Sequence, residues 1–169
     1  MHPGKHIKEL KAEHFVTTGC LSVGSKEGIL TSSPLGSCVA VVAYDSTTKI
    51  GGLAHIMLPG KAPKGNDNKY AESAITNLID ELKKLGVSKK HIEICLVGGA
   101  NVLRKENDNI ADQLIISISS TLEKKKLKVT ASSLGGYERR TAKLILGSGI
   151  VNFTVGDGVE NKLYQFTAE

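Results

Sequence analysis

Two residues in this 169-residue chain have the types and the spacing for nucleophilic chemistry. Cys38 opens the apolar run "CVAVVAYD" directly behind Gly36-Ser37, and His55 sits inside the next apolar run, "IGGLAHIML". His55 follows by 17 residues, a separation that suits a hairpin turning around Asp45 to Lys49. In such a hairpin the partner of Cys38 falls close to His55, and side chains on one face of the pair come within reach of each other. A thiol with a reference pKa of about 8.5 is mostly protonated at neutral pH, and contact with an imidazolium lowers that value. The histidine then serves twice, giving a proton to a leaving amine and activating water against a thioester. Gly36 and Ser37 add a tight turn that presents the thiol at the lip of a sheet and leaves N–H groups free for an oxyanion. Spacing alone favours packing, because a cysteine opening a buried strand is usually core and a lone histidine is more often bonded to a backbone carbonyl.

The elements that must position this pair can be read from turn signals and periodicity. Short strands are expected at "HFVTTGCLSV", "GILTSS", "CVAVVAYD" and "IGGLAHIML", with turns at Gly24-Ser25, Pro34, Asp45-Ser46 and Gly51-Gly52. The nearly continuous apolar character of "CVAVVAYD" predicts a central strand covered on both faces. Residues 59–68 are polar and rich in Pro and Gly, which predicts a surface loop. Ala71, Ala74, Ile75, Leu78, Ile79, Leu82 and Leu85 then recur at helical spacing and stop at Gly86. A strand "HIEICLVGG", a second helix from about Asn109 to Lys125, a strand "KVTASSLGG" and a closing hairpin "TAKLILGSGIVNFTV" complete the chain. The absence of regular βαβ alternation predicts an α+β fold: two packed β-sheets, a β-sandwich, with two main helices on one side, in three layers α/β/β. Residues 1–13 read as an N-terminal extension and 14–169 as a single domain.

Composition narrows the function classes. Cys20, Cys38 and Cys95 are odd in number, far apart and in no CxxC arrangement, which argues against a disulfide framework or a thiolate zinc site. Cys95 and Cys20 read as packing residues. No signal-like leader and no run of apolar residues long enough to span a bilayer stands out, so a cytoplasmic protein without membrane insertion is expected. The net charge of +5 favours acidic partners, but aromatics are only 4% with no tryptophan, which disfavours nucleic acid. "LVGGANV" lacks the spacing of a phosphate loop, and thiol chemistry of this kind needs no metal or organic cofactor.

The string "LGSCVAVVAYDSTTKIGGLAHIMLP" resembles the signature of the chemoreceptor glutamine deamidases, the CheD family of chemotaxis. The resemblance extends to "KYAESAITNLIDELKKLG", to "LVGGANV" and to "SSLGGYERRTAKLILGSGIV", so that it covers nearly the whole chain beyond the first dozen residues. It implies hydrolysis of glutamine side-chain amides on the helical cytoplasmic bundle of chemoreceptors, with Cys38 as nucleophile and His55 as general base. The family also has a threonine six residues before the cysteine; the matching position here is Ser32, with Thr31 beside it. Serine keeps the hydroxyl, whereas Thr31 would need a one-residue register shift that turns its side chain to the other face. The resemblance further implies a CheC-type phosphatase as a partner, and the alternative reading is a chemotaxis binding module for that phosphatase with little deamidase activity.

Overall fold

The computed structural model of the chain describes residues 13–168. It contains ten strands: β1 (Glu13–Phe15), β2 (Leu21–Ser25), β3 (Ile29–Leu35), β4 (Val39–Asp45), β5 (Ile50–Ile56), β6 (Glu93–Gly98), β7 (Lys128–Leu134), β8 (Arg140–Ile145), β9 (Ile150–Val155) and β10 (Asn161–Gln165). Two main helices, α1 (Ala71–Lys84) and α2 (Ile110–Lys124), interrupt them. One sheet runs β1-β3-β8-β9-β10 and the other β2-β5-β4-β6-β7.

Side-chain alternation on β4 shows how the layers stack. Val39, Val41 and Ala43 join Ile75, Leu78, Leu82, Leu114, Ile118 and Leu122 in the core beneath the helices. Ala40, Val42 and Tyr44 point the other way, into a second core with Leu30, Ala142, Leu144 and Val151 of the facing sheet. Every residue of β4 is buried, as expected of a strand covered on both faces. The order is therefore helices, the β4 sheet, then the β3 sheet: the expected three-layer α+β sandwich.

The turns expected at Gly24-Ser25 and Pro34 fall inside β2 and β3, and three further details depart from the sequence reading. The run 14–23 is two strands in different sheets, broken at Thr17 to Cys20, where Gly19 adopts a φ of +77°. Gly51 and Gly52 lie inside β5 rather than in a turn. A Cβ at Gly52 would come within 2.8 Å of Leu78, so glycine here admits α1 onto the sheet. Alternation alone could not separate this close approach from a turn. The tail also carries a further strand, β10, which its polar sequence "NKLYQ" concealed. The extension expected over 1–13 lies outside the described residues save for Glu13, which opens β1 and pairs with Ile29. Among the described residues no helix is long and apolar enough to cross a membrane.

Candidate active site

The β4–β5 hairpin turns where expected, with the Lys49 N–H donating to the Asp45 carbonyl at 2.8 Å. The Asp45 carboxylate braces the turn by accepting from the Thr47 N–H and the Thr48 hydroxyl, both at 2.9 Å. The resulting register pairs Ala40 with His55. Cys38 stands two residues before Ala40, so it occupies the same face as His55 and is its diagonal neighbour across the pair. That face looks into the space between the sheets, where His55 is buried and Cys38 half-buried.

Ser32 arrives from the opposite sheet. Its side chain faces inward from β3 and is fully buried, with Oγ 3.0 Å from His55 Nδ1 and 2.5 Å from the Val16 carbonyl. His55 Nδ1 also lies 3.2 Å from that carbonyl. A carbonyl only accepts, so the Ser32 hydroxyl proton goes to Val16, and Nδ1 must carry the proton shared between Val16 and Ser32. The other ring nitrogen, Nε2, is left with a lone pair. Thr31, one residue away, turns to the other face of the strand, where it is also buried and gives its hydroxyl to Glu13 at 2.5 Å. Of the two candidates the structure therefore brings Ser32, and not Thr31, to the histidine.

Electrostatics set the resting protonation state. Burial pushes the Cys38 thiol above its ordinary value. Burial likewise pushes the His55 imidazole down, opposed by the hydrogen bond to Val16. This reverses the direction expected from the sequence, where an imidazolium lowers the thiol. Desolvation penalises the charged form of each group, which favours a neutral thiol beside a neutral imidazole.

The turn before Cys38 is held by its carbonyls. Gly36 C=O accepts from the Ala100 N–H and Cys38 C=O from the Gly99 N–H, both at 2.8 Å. The N–H groups of Gly36, Ser37 and Cys38 donate to no acceptor among the described residues, and Ser37 is exposed. Both glycine pairs, 98–99 and 135–136, have positive φ; Gly98 ends β6 against the Cys38 carbonyl, so glycine there admits a close backbone approach and not a turn, whereas 135–136 begins the bend after β7. Arg140 ties them together, donating to Gly135 C=O at 2.7 Å, to Gly98 C=O at 3.4 Å and to Ser133 Oγ at 2.9 Å. Among the described residues no three His, Cys, Asp or Glu side chains group closely enough to hold a metal ion.

Sequence reasoning missed three contributors. The Val16 carbonyl could not be seen, because any residue supplies one. Arg140 lies within the quoted C-terminal motif, but its role depends on loops far away in sequence. Thr18, whose Oγ1 is 3.4 Å from His55 Nε2, stands next to Gly19, and that glycine was the only available hint.

The family model described as CheD chemotactic sensory transduction matches residues 57–154. The chain belongs to the CheD family. A probable chemoreceptor glutamine deamidase CheD of Chlorobium luteolum is 38% identical over 152 residues, spanning 88% of this chain and 76% of that protein. The corresponding protein of Pyrococcus abyssi is 35% identical over 88% of this chain and 96% of its own length. The chemoreceptor glutamine deamidase CheD of Thermotoga maritima is 32% identical over 78% of this chain and 84% of its own length. The CheD model match begins just past His55, so the placement of the Cys38, His55 and Ser32 trio rests on the fold itself.

Proposed function

We propose that the chain is a protein-glutamine deamidase that hydrolyses side-chain amides of specific glutamines on chemoreceptors, with Cys38 as nucleophile, His55 as base and Ser32 as its positioning partner. The names of its CheD relatives support the substrate class. One observation carries the mechanism: Nδ1 of His55 is committed to Val16 and Ser32, which leaves Nε2 as a base on the face that holds Cys38.

In the first half-reaction the Cys38 sulfur bonds to the carboxamide carbon while its proton passes to Nε2. The oxyanion is received by N–H groups of the Gly36 to Cys38 turn. The imidazolium returns the proton to the amide nitrogen, the C–N bond breaks, ammonia leaves and a thioester remains. Water then gives a proton to Nε2 and adds to the thioester. Collapse of that adduct expels the sulfur, which takes the proton back, and frees glutamate. The thiol is regenerated with no redox change.

Mass spectrometry of a glutamine-bearing chemoreceptor cytoplasmic fragment tests this reading. Wild-type protein converts specific glutamines to glutamate, and Cys38→Ala, folded by circular dichroism, converts none. Conversion by the alanine variant, or none by the wild type, overturns it. Association with a CheC-type phosphatase in the cytoplasm is the further part of the proposal, supported by the family resemblance. Co-elution of the two purified proteins checks it.

A further inference from the structure

The segment Val16 to Cys20 leaves the β3 sheet and crosses to the β4 sheet directly over His55. It is pinned on both sides of that residue: Gly19 N–H donates to His55 C=O at 2.9 Å, and His55 N–H donates to Cys20 C=O at 3.0 Å. The Val16 N–H closes onto Thr31 C=O at 2.7 Å, and its own carbonyl receives Nδ1. Gly19 sits at φ +77°, and a Cβ there would meet the stem of Lys69 at 2.9 Å, so the strap is pressed from outside as well. Between these anchors stands Thr18, exposed, with its hydroxyl 3.4 Å from Nε2.

The placement is chemically selective. Nδ1 is closed off by buried partners, whereas Nε2 faces a hydroxyl that is itself open to solvent. In the first half-reaction Nε2 deals with the thiol and the leaving nitrogen. In the second it must find a water, and that water has to approach from solvent. A threonine hydroxyl both donates and accepts, so it can hold a water against Nε2 while the thioester occupies Cys38.

Resting on the deamidase reading above, we propose that Thr18 is a positioning residue for the hydrolytic water, acting on release of the thioester and not on its formation. The 3.4 Å contact is long for a direct hydrogen bond, which fits a hydroxyl whose working partner is a bridging water. Lys69 holds the strap through its stem and has no part in the proton transfers.

Single-turnover kinetics separate the two steps, because ammonia release reports thioester formation and glutamate appearance reports its hydrolysis. With a glutamine-bearing chemoreceptor fragment as probe, Thr18→Val keeps the ammonia rate of the wild type. It slows glutamate appearance about ten-fold, the worth of one hydrogen bond. A covalent enzyme–fragment adduct then accumulates in the intact mass spectrum. Thr18→Ser restores the wild-type partition. Equal slowing of both steps, or an unchanged partition in Thr18→Val, overturns the inference while leaving the deamidase reading standing. Absence of both ammonia and adduct from the wild type overturns the two together.

Discussion

At Ser32 and Thr31 the two adjacent hydroxyls are sent to opposite faces of one strand, and only one of them meets the histidine. The Ser32 Oγ is the atom that meets Nδ1, and a threonine at this position would carry the same hydroxyl. Ser32→Ala removes one of two acceptors for the Nδ1 proton while Val16 keeps the other. We expect kcat to fall about ten-fold with KM unchanged, and Ser32→Thr to retain activity, in steady-state assays. The neutral pair also predicts a broad plateau in kcat/KM. Because His55 is depressed, its base form persists as pH falls below the ordinary histidine value of 6.5, and the acid limb appears only below that. Because Cys38 is raised by burial, the shared proton is retained to higher pH than on an ordinary thiol, and the alkaline limb appears only beyond that range. A pH profile with an acid limb above 6.5 would refute the neutral-pair assignment.

Among the elements, the hairpin and the glycine turns do different work. The β4–β5 hairpin was legible from sequence, because an apolar run, a polar turn and a second apolar run fix its register and with it the face shared by Cys38 and His55. Helix α1 was legible for the same reason, its apolar positions recurring with the helical period. The two-strand break at Thr17 to Cys20, the interior position of Gly51-Gly52 and strand β10 were not. Each depends on what packs against it from elsewhere, and local periodicity carries no record of that. The contrast extends to energetics. Leu78→Ala in α1 empties part of the core beneath the helices and costs about 2–5 kcal/mol in denaturant melts, with activity preserved well below the transition. Gly98→Ala acts on the candidate site itself: a Cβ at φ +124° would run into the Cys38 carbonyl, so the turn that carries Cys38 must shift. Activity in that variant should fall further than its loss of stability accounts for, and equal losses in both assays would show the turn to be more pliable.

For the molecule as a whole, a cleft of about 100 Å³ lies beside Ser37, bounded by Ala100, Asn101, Val102, Leu103, Asp108 and Ala111. That suits a single side chain presented on a larger partner, and the net charge of +5 favours an acidic one. Raising ionic strength is therefore expected to lower kcat/KM on a receptor fragment through the association rate, with little effect on kcat. Salt-independent kcat/KM would make the charge incidental.

The site draws on both sheets, with Cys38 and His55 carried by one and Ser32 by the other, while the Val16 carbonyl hangs from the strap between them. The seam of the sandwich is thus also the hinge of its chemistry. A slip of one sheet on the other by the length of a hydrogen bond would free the imidazole to turn before any strand or helix had melted. On warming, catalysis should fade ahead of the circular dichroism signal. On the deamidase reading, a molecule in which the two sheets have not yet seated lacks the Ser32–His55 contact and is expected to leave the thiol inactive toward amides.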